Sequence, residues 1–388
     1  MCSQSTSVLF EPVQFAAIEA KNRIVMAPMV TNLADSDDNV TDRQVDYYTE
    51  RSRGGVGTIV VEAAMVDRAV RISKRQIGLY DNRFITGLNC LSNAIRDAGA
   101  LALLQVCHGG PKTIPAAGAA TASVSPIGVR KGDVPAVLTI ADLGQVRSGF
   151  VDACRRAYQA GFDGVELHAA HFYLLGASIS PFTNRRTDDY GGNPANRTRL
   201  TREIIQDIKA SIGSDFPVWV RINACESMAP GLSLDEGCRV AGLLTEAGAD
   251  VIHVSAYTLP INKKIQAFMN IPVGAIPVHD TPPGPFLDYA AAIKEVIDVP
   301  VVAVAKLDDP DLAAGAVAEG KCDFIALGRQ MLCDPDWVKK VRRRQFEKII
   351  HCKYCMTCHT AQQQGEPIRC AQIKIPNNKP EKDRREKR

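Results

Sequence analysis

Residues 217–254 read PVWVRINACESMAPGLSLDEGCRVAGLLTEAGADVIHV and contain one complete β-α-β unit. Residues 217–222 and 250–254 are short runs rich in valine and isoleucine, which predicts two buried strands. Residues 235–247 lie between them with apolar side chains at helical spacing, which predicts an amphipathic helix. Because a connecting helix returns the chain to the same end of the sheet, the two strands are expected to pair in parallel.

The same alternation extends in both directions along the 388-residue chain. Eight apolar runs, each followed by a helical segment, are predicted as strands over residues 23–26, 57–61, 101–106, 164–167, 217–222, 250–254, 300–304 and 323–326. The last predicted helix covers residues 335–346. Eight such units close most naturally into a (β/α)8 TIM barrel. A doubly wound open sheet is the alternative, but its first turn is normally rich in glycine, and Pro28-Met-Val-Thr31 has none.

Composition narrows the class of protein. Hydrophobic residues make up 46% of the chain and charged residues 23%, which excludes a disordered or fibrous protein. No apolar stretch is long enough to span a bilayer, and the first residues lack the pattern of a secretory signal. We therefore expect a cytoplasmic protein whose twelve cysteines are thiols or metal ligands rather than disulfides.

The net charge of +3 is unevenly distributed. Residues 339–388 carry 15 basic and 5 acidic residues, a net +10, which leaves −7 for the rest of the chain. No basic stripe with interleaved aromatic residues occurs, so a nucleic-acid partner is disfavoured. The basic end predicts either a solvated tail, disordered over residues 377–388, or a docking site for an acidic protein. Whether the chain forms a homo-oligomer stays open.

Four cysteines cluster near the C-terminus, as Cys352-Lys-Tyr-Cys355-Met-Thr-Cys358 followed by Cys370. A zinc site with four thiolates usually has two separated Cys-x-x-Cys pairs. Three closely spaced cysteines with a distant fourth are more typical of a [4Fe–4S] cluster, so that cofactor is predicted and zinc is the alternative. The predicted organisation is a barrel over residues 1–346, a cluster lobe over 347–376 and the charged tail over 377–388.

Polar side chains follow several of the predicted strands, where barrel enzymes carry their active sites. His168, His171 and Tyr173 follow the fourth strand, and imidazoles and a phenol can donate hydrogen bonds and a proton to a substrate. Gln105 and Arg221 end the third and fifth strands. The loops after strands seven and eight carry further candidates for a phosphate site, namely Lys306, Gly328 and Arg329.

Together these features resemble the old yellow enzyme (NADH:flavin oxidoreductase) family over residues 9–370. The segments that carry the resemblance are Asn22-Arg-Ile-Val-Met-Ala-Pro-Met29, Tyr48-Thr-Glu-Arg-Ser-Arg-Gly-Gly-Val56, residues 168–173, Thr183-Asn-Arg-Arg-Thr-Asp-Asp-Tyr-Gly-Gly192 and Leu327-Gly-Arg329. The four C-terminal cysteines make the chain similar to the iron–sulfur branch that includes 2,4-dienoyl-CoA reductase, bile-acid enoate reductases and trimethylamine dehydrogenase.

The resemblance implies a role for each candidate. Ala27, Pro28, Met29 and Ala63 would line the isoalloxazine of FMN, Gln105 and Arg221 would contact its pyrimidine side, and Gly328 and Arg329 would hold its phosphate. Lys306 is a further expected cofactor-binding residue. His168 and His171 would bind a substrate carbonyl, and Tyr173 would be the proton donor. Phe172 replaces the glycine that is frequent in the family and is expected to narrow the pocket. Lys263 and Lys264 could meet the phosphates of a CoA substrate, although a solvated loop is equally expected.

The resemblance further implies an ene reductase, in which a hydride passes from reduced FMN to the β-carbon of an unsaturated carbonyl, enoate or enoyl-CoA substrate. An oxidative flavin dehydrogenase that passes electrons to an acceptor flavoprotein is an alternative, and an electron-transfer subunit is a third. No Gly-x-Gly-x-x-Gly occurs in the chain, so no second dinucleotide site is predicted. We therefore expect electrons to enter through the cluster from a separate flavoprotein or ferredoxin.

Overall fold

The eight predicted strands pair in parallel and close into one barrel in a computed structural model, which describes residues 6–115, 120–261, 269 and 272–373. They are β1 Ile24–Met26, β2 Thr58–Met65, β3 Leu101–Cys107, β4 Gly164–Ala169, β5 Val218–Glu226, β6 Val251–Tyr257, β7 Val301–Val304 and β8 Phe324–Leu327. Each strand pairs with the next, and β8 pairs with β1. The predicted TIM barrel is confirmed, and the open-sheet alternative is excluded.

A helix follows each strand on the outside of the barrel. These helices are α1 Asp42–Arg53, α2 Ile85–Asp97, α3 Ile140–Gln159, α4 Arg199–Ile212, α5 Leu234–Glu246, α6 Leu287–Lys294, α7 Pro310–Ala318 and α8 Trp337–Arg342, and a further helix, α9 Thr357–Gln364, comes later. Shorter helices cover Leu174–Ile179, Pro194–Arg197 and Arg329–Cys333, and 3-10 turns cover Thr6–Phe10, Arg68–Val70, Asn82–Phe84, Gly110–Lys112 and Phe346–Lys348.

Three of the barrel helices begin with a capping box. Thr41, Thr139 and Ser233 each accept a hydrogen bond from the backbone N–H three residues later, and the side chain at that later position bonds back to the cap. Each box satisfies two backbone N–H groups that the first helical turn leaves unpaired. In α1 this cap is Thr41, directly before the first helical residue Asp42.

An antiparallel hairpin closes the N-terminal end of the barrel. It pairs Val13–Phe15 with Ile18–Ala20, and the Phe15 ring centre lies 5.3 Å from that of Trp219 and 6.0 Å from that of Phe324. Both partners stand at the beginnings of their strands, so these rings fill the barrel from below. Among the described residues, these rings block the amino ends of the strands, and the cavity opens at the carboxyl ends.

Two sequence predictions need correction. The helix predicted over residues 335–346 is shorter, because it ends at Arg342 and Arg344 adopts a left-handed backbone with φ of 53°. The fifth strand continues to Glu226, so Arg221 lies within the barrel wall instead of at its end. Two further short pairs, Ala122–Ser123 with Ala136–Val137 and Leu259–Pro260 with Val273–Gly274, lie in the loops.

The predicted tail at 377–388, residues 374–376 of the predicted lobe, and Lys263 and Lys264 lie outside the described residues. Within the described ranges, every helix is too short or too polar to cross a bilayer.

Candidate functional site

A cavity of about 320 Å³ opens at the carboxyl ends of the barrel strands. Its volume falls in the range of roughly 300–1,000 Å³ that is usual for small-molecule sites. It is lined by all twelve of the predicted site residues that are not cysteines: Ala27, Pro28, Met29, Ala63, Gln105, His168, His171, Tyr173, Arg221, Lys306, Gly328 and Arg329. The structure thus brings these residues together, while their individual roles stay predictions.

A buried carboxylate, Glu166 on β4, organises the floor of the cavity. It accepts a hydrogen bond of 2.7 Å from Gln105 Nε2 and one of 2.6 Å from His253 Nδ1. Because the Gln105 amide nitrogen is bound to Glu166, the amide oxygen is the group left to accept a hydrogen bond from a ligand. Such an acceptor suits the N–H of a flavin pyrimidine ring.

Arg221 on β5 lies beside Glu166 and brings a positive charge to the same floor. Burial lowers the pKa of Arg221, and the Glu166 carboxylate opposes that effect. Burial would raise the pKa of Glu166, but the charges and hydrogen bonds of its neighbours hold it below its usual value. The buried Nε of Arg221 has no hydrogen-bond partner in the described part of the chain. Arg221 can therefore stabilise negative charge that develops on a ligand above it.

His168, His171 and Tyr173 form a compact group at the end of β4. The ring centres of His168 and His171 are 5.0 Å apart, and those of His168 and Tyr173 are 4.6 Å apart. His171 Nε2 lies 2.8 Å from Ser255 Oγ, and its Nδ1 lies 3.4 Å from His168 Nε2. The buried His168 Nδ1 has no partner among the described residues, so it is the imidazole nitrogen that remains available to a ligand.

The backbone after β4 turns sharply at two consecutive residues. His171 and Phe172 have φ of 59° and 58°, a conformation that is costly for residues with a Cβ. Asn223 Oδ1 accepts the His171 backbone N–H at 3.2 Å and helps to hold this turn. The turn directs Phe172 away from the cavity into a buried cluster with Met228 and Tyr257. That Phe172 narrows the pocket stays a prediction, because its ring does not line the cavity itself but lies 4.7 Å from the ring centre of Tyr257, which does.

Burial fixes the protonation states of the group. The pKa values of His168 and His171 lie far below the usual value, first because of burial and then because of the nearby Arg221 charge. Burial raises the pKa of Tyr173 above its usual value. At neutral pH the site therefore presents two neutral imidazoles and a protonated phenol, which can polarise a carbonyl and supply a proton.

Two cations lie at the other end of the cavity. Lys306 Nζ and the Arg329 guanidinium lie 4.6 Å and 4.7 Å from the ring centre of Tyr354. Arg329 Nη1 donates only to the Met356 sulfur, at 3.3 Å, and neither cation forms an ion pair within the described residues. A Cβ on Gly328 would lie 3.2 Å from the Met29 sulfur, so a larger residue would crowd this end. The arrangement suits a phosphate group.

The segment after α8 packs onto the mouth of the barrel. Asn32 Nδ2 donates to the backbone oxygens of Gln362 and Glu366, each at 2.9 Å. These contacts bring α9 to the cavity, which Cys358 and His359 line. A cofactor held by the predicted thiols would consequently lie next to the flavin pocket.

The thiols of this segment have the donor chemistry that an iron–sulfur cluster requires. Cys352 Sγ accepts the backbone N–H of Tyr354 at 3.4 Å, and Cys370 Sγ accepts that of Gln372 at 3.5 Å. In the ranges that the structure describes, however, no three Cys, His, Asp or Glu side chains converge closely enough to hold a single metal ion. The four-cysteine centre at Cys352, Cys355, Cys358 and Cys370 therefore remains a prediction.

The cavity residues that the sequence did not indicate include Lys112, Tyr354 and His359. Tyr354 and His359 lie within and beside the cysteine motif, where spacing directed attention to the thiols. Lys112 follows the turn Gly109-Gly110-Pro111 just after β3, and a cation at that position was a signal that could have been used. A fifth thiol near the four-cysteine motif, Cys333, was not predicted either. It belongs to no spaced motif and comes close to Cys370 only in the folded chain.

Residues 8–347 match the sequence profile of the NADH:flavin oxidoreductase / NADH oxidase family. The chain belongs to this family. The fold of this chain places its cavity where barrel enzymes carry their active sites. The family membership and the barrel agree with the resemblance inferred from the motifs.

Two curated relatives and one solved structure illustrate the similarity. The chain is 38% identical over 351 residues to an NADH oxidase of Thermoanaerobacter brockii, covering 89% of this chain and 52% of the relative. It is 31% identical over 390 residues to a cinnamate reductase of Clostridium sporogenes, covering 94% of this chain and 57% of the relative. The solved complex of 2-naphthoyl-CoA reductase with 2-naphthoyl-CoA superposes on this chain with a TM-score of 0.86 at 27% identity. The match covers 95% of this chain and 57% of the reductase chain. The chain thus spans about half the length of these proteins.

The lowered pKa values of His168 and His171 predict a pH dependence of stability. The unfolded chain binds protons at these histidines below about pH 6.5, whereas the folded chain does not, so the free energy of unfolding should fall as the pH falls. Replacing both by asparagine removes up to two protons, or about 2.7 kcal/mol per pH unit, from that slope. Urea unfolding of the wild-type and the doubly substituted protein between pH 6.5 and 5 measures this slope. Equal slopes in the two proteins would show that the histidines are protonated in the folded state.

Proposed function

We propose that this chain is an FMN-dependent ene reductase that acts on the C=C bond of an α,β-unsaturated carbonyl, carboxylate or thioester. The observation that carries the proposal is the shared cavity, where neutral His168 and protonated Tyr173 face Gln105 and Arg221. A hydrogen-bond donor, a proton donor and a flavin-type floor are the groups that such a reduction requires.

The cavity residues fit FMN in three places. The free amide oxygen of Gln105 and the charge of Arg221 suit the pyrimidine side of the flavin. Lys306 and Arg329, which lack carboxylate partners in the described chain, suit the phosphate. Small and apolar side chains complete the wall for the ring system, namely Ala27, Pro28, Met29 and Ala63. When bound and reduced, FMN supplies the hydride.

The chain's own residues would then act on the substrate in sequence. His168 Nδ1 donates a hydrogen bond to the substrate carbonyl oxygen and draws electron density from the β-carbon. His171 orients His168 through their 3.4 Å contact and is itself held by Ser255. The Tyr173 hydroxyl gives its proton to the α-carbon, and burial keeps that proton on the phenol until the transfer. The names of two similar proteins, a cinnamate reductase and a 2-naphthoyl-CoA reductase, support this class of substrate.

We further propose that Cys352, Cys355, Cys358 and Cys370 hold a [4Fe–4S] cluster through which electrons reach the flavin from a separate flavoprotein or ferredoxin. The position of Cys358 in the cavity wall supports this route, because it places the thiols beside the flavin pocket. The basic residues that surround the motif support docking of an acidic donor.

Replacing Tyr173 by phenylalanine tests the ene reductase directly. The variant should slow anaerobic reoxidation of the reduced flavin by an enone about 100-fold or more, because the proton donor is missing. Reoxidation by oxygen, which requires no proton on a substrate carbon, should stay within about twofold of the wild-type rate. Stopped-flow absorbance of the flavin measures both rates.

The exposed Tyr158 provides the matched control, since Tyr158→Phe removes the same hydroxyl far from the cavity. It should reoxidise with the enone at the wild-type rate. Unchanged enone reduction by the Tyr173→Phe variant would exclude Tyr173 as proton donor, and no reoxidation of the wild-type protein by any enone, enoate or enoyl-CoA would refute the proposed function.

Metal analysis of anaerobically purified protein tests the cluster. We expect about four iron and four sulfide ions per chain, as a [4Fe–4S] cluster contains. Cys358→Ser should lose most of the iron, whereas Cys90→Ser, at an exposed thiol on α2, should retain it. One zinc per chain without sulfide would refute the cluster.

A further inference from the structure

Lys112 introduces a positive charge beside the proposed proton donor. It ends the 3-10 turn after β3, and its side chain lines the cavity. Its Nζ lies 5.4 Å from the ring centre of Tyr173 and 5.3 Å from that of Tyr257, and it donates a 3.2 Å hydrogen bond to the Tyr257 hydroxyl. The ammonium therefore faces the space in which a substrate bound to the histidines would lie.

The turn that presents Lys112 is held on both sides. His108 Nδ1 accepts the Gly110 backbone N–H at 3.0 Å, and Gly110 has φ of 54°. A Cβ on Gly110 would lie 2.7 Å from Leu174 Cα, so no larger residue fits there without a shift of the backbone. Arg130 donates 2.9 Å hydrogen bonds to the backbone oxygens of Lys112 and Thr113. The position of the lysine is thus built into the fold.

The charge of Lys112 has no carboxylate partner within the described residues. The other cations of the cavity are assigned to the proposed FMN. Arg221 would contact its pyrimidine side, and Lys306 and Arg329 would bind its phosphate. Among the described residues that line the cavity, the single carboxylate belongs to Asp308, which accepts a hydrogen bond from the Tyr354 hydroxyl at the phosphate end. A cation that faces a ligand cavity without a counter-ion favours an anionic ligand.

We propose that Lys112 binds the carboxylate of the substrate, so that the preferred substrate class is the 2-enoates, α,β-unsaturated carboxylates. This inference rests on the proposed ene reductase function. Neutral His168 and His171 can donate hydrogen bonds but add no positive charge, whereas an ammonium forms a charge-assisted hydrogen bond with a carboxylate. As a hydride adds to the β-carbon, the π electrons move toward the carboxylate until Tyr173 protonates the α-carbon, and Lys112 stabilises that extra charge.

Equilibrium binding to the oxidised, FMN-loaded protein tests this recognition without any chemical step. Cinnamate and cinnamamide have nearly the same shape and differ in charge, and each is titrated while the flavin absorbance is followed. In Lys112→Met, cinnamate should bind at least about tenfold more weakly, equivalent to about 1.4 kcal/mol, whereas the Kd of cinnamamide should change less than about twofold. Lys112→Arg should retain most of the affinity for cinnamate.

The neighbouring exposed residue Lys131 supplies the control for net charge. Lys131→Met removes one positive charge from the same loop and should leave both dissociation constants unchanged. Equal losses for cinnamate and cinnamamide in Lys112→Met, or no loss for either, would overturn the proposal. Cinnamoyl-CoA is titrated in the same way, and a loss of affinity confined to it would overturn the proposal too, because the lysine would then bind the CoA phosphates. The proposed function fails separately, through the absence of flavin reoxidation by unsaturated substrates.

Discussion

The buried carboxylate of Glu166 is the group on which the candidate site depends. It lies inside the barrel, where an unpaired charge would be strongly destabilising. Hydrogen bonds from Gln105 and His253 and the charge of Arg221 compensate for its burial. In the same arrangement, the free amide oxygen of Gln105 and the positive charge of Arg221 are fixed at the cavity floor. One electrostatic constraint therefore stabilises the barrel interior and orients the groups that we assign to the flavin.

The walls of the cavity depend on two backbone turns with positive φ, which packing and side-chain hydrogen bonds maintain. The left-handed turn at His171 and Phe172 directs one side chain to the cavity and the other into the core. The turn at Gly110 places Lys112 beside Tyr173, with the Nζ atom 5.4 Å from the ring centre. Asn223 Oδ1 and His108 Nδ1 accept backbone N–H groups of the two turns, so both turns are held before a ligand binds.

The barrel and much of the site could be predicted because their signals are local. Buried parallel strands require short runs of β-branched residues, and polar residues at the ends of such runs meet at one edge of the barrel. The hairpin around Phe15 and the helix α9 were not predicted, because three-residue strands and a polar eight-residue helix carry little periodicity. The orientation of Phe172 could not be predicted either, since it depends on a positive φ that is not apparent from the residue type.

The role of Glu166 was missed for a different reason. The sequence around a carboxylate in an apolar strand does not indicate which residues bind it. Its partners Gln105 and His253 lie 61 and 87 residues away along the chain. Only the closure of the barrel brings them together. The same holds for Lys112, whose significance comes from Tyr173 and Tyr257 on other strands and loops.

The most direct test is the affinity of the Glu166→Gln apoprotein for FMN, measured by the quenching of flavin fluorescence. Glu203→Gln on α4 is the control. The substitution keeps the shape of the side chain but removes the charge that compensates Arg221 and orients Gln105. We expect Glu166→Gln to keep the wild-type circular dichroism spectrum and to bind FMN at least about tenfold more weakly. A loss of affinity of this order is expected when one charged hydrogen bond is lost. Wild-type FMN affinity in a folded Glu166→Gln protein would contradict this expectation.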